Sequence, residues 1–170
     1  AKKIAVLGMG AMGSRVATRM LEMGADLVVW NRSPAPTRGI EDAGARVASS
    51  PKEAAAGAEV VIAMLTDDEG SAAVWRGEDG ALAGLASGAL AVESSTLSPK
   101  WARELGGEVF QMGARFVDAP VVGTRPQADA GELLYLAGGD PDAVTELTSV
   151  VEPAAKAVRH VGPVGAGMAV

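Results

Sequence analysis

Lys3-Ile4-Ala5-Val6-Leu7-Gly8-Met9-Gly10-Ala11-Met12-Gly13 opens the chain. The apolar run Ile4 to Leu7 is short, rich in β-formers and cut off by glycine, as a buried parallel strand would be. Gly8, Gly10 and Gly13 then fall on G-x-G-x-x-G. In that pattern the first glycine permits a tight strand-to-helix turn, the second lets backbone approach a pyrophosphate, and the third lets helix and strand pack closely. From Ala11 to Met23, Met12, Val16, Ala17, Met20 and Leu21 repeat at helical spacing, with Arg15, Arg19 and Glu22 mainly off that stripe. Gly24 ends this helix, Asp26 turns, and Leu27 to Trp30 makes a second apolar strand. The result is a β-α-β unit, the context that gives the glycine motif its meaning.

The N-terminus of the first helix presents unpaired N–H groups and the positive end of its dipole to whatever lies over the glycine loop, which suits a phosphate. At the end of the second strand an NAD site usually carries Asp or Glu for the ribose 2'-hydroxyl. Here stand Asn31, Arg32 and Ser33. A guanidinium and a hydroxyl suit a 2'-phosphate that a carboxylate would repel, which predicts NADP, with NAD as the alternative cofactor. The competing account makes Arg32 a solvated loop residue and Ser33 a cap for the next helix.

Composition narrows the rest. A length of 170 residues with 48% hydrophobic content fits one α/β domain with a real core. The net charge of -6, with Lys and Arg scattered, argues against a nucleic-acid surface. With no cysteine and a single His, neither a disulfide framework nor an ordinary zinc site is expected. Ala1-Lys2-Lys3 before an apolar stretch imitates a signal peptide, but glycines interrupt that stretch, and no segment is long enough to span a membrane. A cytoplasmic protein is expected.

Further along, Ser33-Pro34, Ser50-Pro51, Ser98-Pro99 and Asp140-Pro141 read as helix starts, with Glu53 placed to complete a capping box on Ser50. Strands are predicted at Arg46-Val47, Glu59 to Leu65, Ala89 to Glu93, Arg115 to Val117, Glu132 to Ala137 and Val158 to Val161. Helices are predicted from Pro36 to Ala43, from Ser50 to near Gly57, over Glu69 to Trp75 with Asp68 as a candidate cap, over Pro99 to Met112, and from Pro141 to about Val151. Trp101, Leu105 and Val109 read as a core stripe. Asp118 to Pro126 reads as a long polar turn, and long loops in compact domains are often functional. The pattern as a whole predicts a Rossmann-like, doubly wound, mainly parallel sheet in a single domain.

Taken together, the fingerprint with its Met-Gly pair, Ser95-Thr96, Asp118-Ala119-Pro120-Val121, Gly131 and the closing Gly162-x-x-Gly165-x-Gly167 resemble the β-hydroxyacid dehydrogenases. That family includes 3-hydroxyisobutyrate dehydrogenases and glyoxylate/succinic semialdehyde reductases. The resemblance implies an NAD(P)-binding domain over residues 1–162 and, at 163–170, the start of an interdomain helix leading to an all-helical C-terminal domain. It implies a catalytic lysine just past Val170, so that no catalytic residue is assigned within the chain, and a homo-oligomer formed through the helical domain. Gly8, Met9, Gly10, Ala11, Met12 and Gly13 would hold the pyrophosphate, Asn31, Arg32 and Ser33 the ribose phosphate, and Met64, Leu65, Thr66 and Thr96 the nicotinamide end. Val122, Gly123 and Thr124 would meet a small carboxylate substrate, although Val122 stands where the family has serine and Thr124 where it has glycine. Asp118 and His160 are set aside as acid and base, Asp118 as the residue that fixes its turn. The implied reaction is hydride transfer between NADP(H) and a small hydroxy acid or semialdehyde. An imine reductase and a non-catalytic NADP-binding module are the alternatives.

Overall fold

The computed structural model of the chain describes residues 2–170. Strands β1 (Lys3–Leu7) and β2 (Asp26–Trp30) run parallel, with Leu7 opposite Trp30, and α1 (Ala11–Glu22) crosses between them. The face of α1 carrying Gly13, Val16, Ala17 and Met20 is buried on the sheet, as the periodicity predicts. The turn into α1 depends on two glycines. Gly8 has φ +103, a region that a side chain disfavours, and its N–H donates to the Trp30 carbonyl at 2.8 Å. At Gly13 an added Cβ would run into the Gly8 carbonyl.

Beyond β2 come a 3-10 turn (Ala35–Thr37), α2 (Arg38–Asp42), β3 (Arg46–Val47), α3 (Pro51–Ala55) and β4 (Val60–Ala63). Then follow α4 (Asp68–Trp75), α5 (Ala81–Gly84), β5 (Leu90–Glu93), α6 (Pro99–Gln111) and β6 (Arg115–Asp118). The chain continues through β7 (Val121–Val122), α7 (Arg125–Asp129), β8 (Leu133–Gly139), α8 (Pro141–Val151), β9 (Ala155–Gly162) and α9 (Ala166–Ala169). Strands order as β3-β2-β1-β4-β5-β6, all parallel; β8 then pairs antiparallel with β6 and β7, and β9 pairs parallel with β8.

Alternate strand residues feed two cores. Val6, Val60, Ile62 and Val92 pack with Val16 and Met20 of α1 and Leu147 of α8. Ala5, Leu7, Val61 and Ala91 pack with Trp75 of α4 and Trp101, Leu105 and Val109 of α6. Helices therefore cover both faces, the doubly wound arrangement predicted from the sequence. Ion pairs add little by comparison. Glu146 of α8 reaches Lys2 at 3.2 Å and Arg115 at 2.9 Å, partly exposed contacts that contribute at most about 1 kcal/mol each.

Several local expectations are corrected. The segment from Asp118 to Pro126 is not an open loop. It holds β7 and the start of α7, where Thr124 and Gln127 form the capping box. Ser50 does cap α3 through the Glu53 N–H at 3.0 Å, but the Glu53 carboxylate turns to the Ser49 hydroxyl instead of back to Ser50. Asp67, not Asp68, caps α4, accepting from the Gly70 N–H at 2.7 Å. The side chains of Ser33 and Asp140 cap nothing. The last strand begins three residues before Val158, because β9 lies at the sheet edge and tolerates Lys156 and Arg159 on a half-exposed ribbon.

Gly13→Ala would place a methyl group against the Gly8 carbonyl, and overpacking of this kind costs about 1–3 kcal/mol, more than the roughly 1 kcal/mol that alanine gains in a helix. At Gly10 an added Cβ meets nothing within 4 Å, and φ is -71. Gly10→Ala should therefore stay within about 0.5 kcal/mol of the parent. Urea unfolding of both variants checks this; a Gly13→Ala midpoint at or above the parent's would contradict the close approach.

Candidate functional site

The carboxyl ends of β1, β2 and β4 converge on a cleft of about 700 Å³. In the strand order β2 lies on one side of β1 and β4 on the other, so the cleft stands where successive connections diverge, the place where open α/β sheets bind ligands. Gly8 and Gly10 floor it; Asn31, Arg32 and Ser33 form one rim, and Met64, Leu65 and Thr66 the other. Helix α4 supplies a wall of small residues, Gly70 and Ala73, and Arg76 and Asp79 close the far end. The sequence reading missed this wall, which is signalled by small residues three apart on α4 and by glycines 77 and 80 after it.

The glycine loop is shaped for a guest. Gly10 is exposed, and a Cβ there would enter open space in the cleft, so nothing of the protein itself requires glycine at this position. Helix geometry leaves the first N–H groups of α1 without carbonyl partners beside it. Met9 is 3% exposed and Met12 packs on the core, so their side chains serve the fold.

Asn31 sits where the sequence places it, but its amide is already engaged. Its Oδ1 accepts the Met9 N–H at 2.8 Å, and its Nδ2 donates to the Ser33 carbonyl at 2.8 Å. Asn31 thus ties the glycine loop to the end of β2, which leaves Arg32 and Ser33 as the exposed groups of that rim. Among the described residues the Arg32 guanidinium makes no ion pair and no hydrogen bond.

On the opposite side of β1, Thr66 and Thr96 share a shallower depression with Asp67, Asp68 and Ser98. Behind them lies Glu93, which the sequence reading took only as the end of an apolar strand. It is fully buried, and burial pushes its carboxyl up from the ordinary value, while hydrogen bonds from Ser71, Ser95 and Trp75 oppose that shift. A carboxylate closing an apolar run and followed by two serines was the available signal.

Val122, Gly123 and Thr124 do not join the cleft. Val122 is 53% exposed, and the Thr124 N–H and hydroxyl both donate to Gln127 Oε1, at 2.8 Å and 3.3 Å, while its oxygen receives the Gln127 N–H. Asp118 is buried, its Oδ1 accepting from the Gly165 N–H at 2.8 Å and its Oδ2 from the Met168 N–H at 3.0 Å. Burial raises its pKa, and these backbone donors oppose the shift. It fastens the first turn of α9 as well as its own turn. His160 Nε2 lies 2.7 Å from the Gly139 carbonyl, away from the cleft. It borders a separate, mainly apolar depression of about 760 Å³ that the glycine loop does not line. No group of three or more potential metal ligands occurs among the described residues, and no helix is long and apolar enough to cross a membrane.

Residues 3–162 match the family described as the NAD binding domain of 6-phosphogluconate dehydrogenase. An NAD-dependent L-serine dehydrogenase of Pseudomonas aeruginosa is 37% identical over 166 residues, covering 98% of this chain and 56% of its own length. A solved structure of a Mycobacterium tuberculosis 3-hydroxyisobutyrate dehydrogenase with L-serine superposes with a TM-score of 0.93 at 33% identity, covering 99% of this chain and 57% of that one. A second, Psf3 in complex with NADP+, has a TM-score of 0.93 at 27% identity and covers 98% and 59%. The chain spans about half the length of the curated relatives it matches. With its glycine loop at the head of α1 and its cleft at the switch point, the chain belongs to the family of NAD(P)-binding domains typified by that of 6-phosphogluconate dehydrogenase.

Proposed function

We propose that the chain is the cofactor domain of an NADPH-dependent oxidoreductase that transfers hydride between NADP(H) and a small hydroxy acid or the corresponding semialdehyde or keto acid. The observation that carries this is the open space at Gly10 before the unpaired N–H groups of α1, with Arg32 unpaired on the adjoining rim. The α1 N–H groups would hold the pyrophosphate, and Arg32 with Ser33 the 2'-phosphate. When bound, the nicotinamide supplies the hydride chemistry. The chain's own part is to orient the two halves of the cofactor on either side of β1.

Two of the relatives named above, the Pseudomonas aeruginosa dehydrogenase and the Mycobacterium tuberculosis structure, act on or bind L-serine, a small hydroxy acid, which supports a carboxylate substrate. Val122 to Thr124 would border it only from outside the cleft, and with Thr124 engaged in its cap the free cation of that loop is Arg125, which makes no ion pair among the described residues. Glu93 and Asp118 have their oxygens taken up by internal donors, so we assign the proton donor to the rest of a longer protein, together with its assembly contacts. A cytoplasmic setting belongs to the same proposal.

Calorimetry on this chain should show tighter binding of NADPH than of NADH. Equal affinity, or a preference for NADH, would contradict the role given to Arg32. Arg32→Asp should weaken NADPH by about tenfold or more and leave NADH nearly unchanged, since a charge-assisted contact becomes a repulsion. Gly10→Val should abolish binding of both cofactors with the circular dichroism spectrum intact; retained binding would place the dinucleotide elsewhere.

A further inference from the structure

The β4–α4 loop carrying Thr66 and the β5–α6 loop carrying Thr96 are fastened to each other on both sides of the two threonines. On the strand side, the Leu65 N–H donates to Ser95 Oγ at 2.5 Å. On the helix side, Asp68 accepts from the Ser98 N–H at 3.0 Å and from the Ser98 hydroxyl at 2.7 Å. Thr66 and Thr96 stand exposed between these fastenings, their hydroxyls without partners among the described residues.

The strand-side fastening depends on Glu93. Its Oε1 accepts from the Ser95 N–H at 3.1 Å and the Ser95 hydroxyl at 2.5 Å, and its Oε2 from the Ser71 hydroxyl at 2.6 Å and Trp75 Nε1 at 2.9 Å. Because the Ser95 hydroxyl spends its proton on Glu93, its oxygen is left to receive the Leu65 N–H. The Ser71 oxygen is likewise free to receive Trp101 Nε1, at 2.8 Å. The carboxylate, acceptor on every side, sets the direction of the whole chain of bonds. A carboxylate buried among apolar side chains is a net cost unless donors meet both oxygens, and this one spends its four bonds on ordering the segments around it.

The strand order gives that ordering a use. Arg32 lies beyond β2 on one side of β1, and Thr66 and Thr96 lie beyond β4 and β5 on the other. A dinucleotide with its pyrophosphate over Gly10 and its adenosine at Arg32 must extend its second half toward the two threonines. We propose that Glu93 is a positioning residue that locks the Leu65–Thr66 and Ser95–Thr96 segments together, so that both threonine hydroxyls meet the nicotinamide half of the cofactor in a fixed geometry. This rests on the dinucleotide function proposed above.

Glu93→Gln tests it, because the new amide must point its NH2 either at the Ser95 N–H or at Trp75 Nε1, and neither of those groups can accept. Ser95→Ala removes the contact to Leu65 directly and leaves Ser71 and Trp75 bonded to Glu93. Binding of NADP+ is compared with binding of 2'-phospho-ADP-ribose, which lacks the nicotinamide, in both variants and in the double variant. Each single variant should bind NADP+ about tenfold more weakly, the double variant no more weakly than the worse single, and 2'-phospho-ADP-ribose within about twofold of the parent. Unchanged NADP+ binding by Ser95→Ala, or an equal loss of both ligands, would overturn the proposal. Should Glu93→Gln fail to fold, Ser95→Ala decides alone. If the parent chain bound neither ligand, the dinucleotide function would fall, and this inference with it.

Discussion

The backbone of α1 passes so close to the carbonyl of Gly8 that no side chain fits at Gly13, and most of the molecule follows from that approach. It seats α1 on the sheet with its first turn pointing past the end of β1, and Gly8 beside it adopts the positive φ that makes the turn. Gly8 is then fixed from outside as well, since its N–H reaches Trp30 and the next residue's N–H reaches Asn31. The glycine loop is held from β2, from α1 and from Met64 at the end of β4, against whose carbonyl a side chain at Gly8 would collide. A loop held on three sides loses little entropy when a ligand settles on it, which is the physical meaning of preorganisation.

The second half of the cleft uses polar side chains for the same end. Glu93, Ser95, Asp68 and Ser98 perform between β4 and β5 what glycine contacts perform between β1 and α1. The two devices differ in what they cost. Close backbone packing needs only the absence of side chains, whereas the Glu93 network buries an ionisable group that needs donors on both oxygens. Trp75 donates its indole N–H to Glu93 and Trp101 donates its own to Ser71, so the core of α4 and α6 is coupled to the order of the cleft.

How much of this the sequence reveals follows the same division. Apolar runs and the G-x-G-x-x-G spacing mark β1, α1, β2, β4 and β5, because buried parallel strands and an amphipathic helix leave strong periodic traces. The segment after Asp118 is harder to read. Val121-Val122 is only two residues long, and the Thr124-Gln127 box falls in a stretch whose composition resembles a loop. Residues that face each other across the fold leave little trace in local spacing. The place of Asn31 after β2 marks it as a cofactor-site residue but does not show that its amide bonds a residue 22 positions earlier. Glu93 looked like a strand terminus, and its partners come from α4 and from two residues ahead. Spacing rules record local geometry and say nothing of such long-range pairings.

The head of α1 should receive a pyrophosphate while the Asn31 tether stays in place. A crystal structure of the chain with NADP+ bound tests it most directly. Pyrophosphate oxygens are expected within hydrogen-bond distance of the N–H groups of Ala11 and Met12, the 2'-phosphate against the Arg32 guanidinium, and Asn31 still bonded to Met9. Pyrophosphate in the apolar depression between α6 and β9, or a glycine loop that must release Asn31 to admit the cofactor, would contradict it.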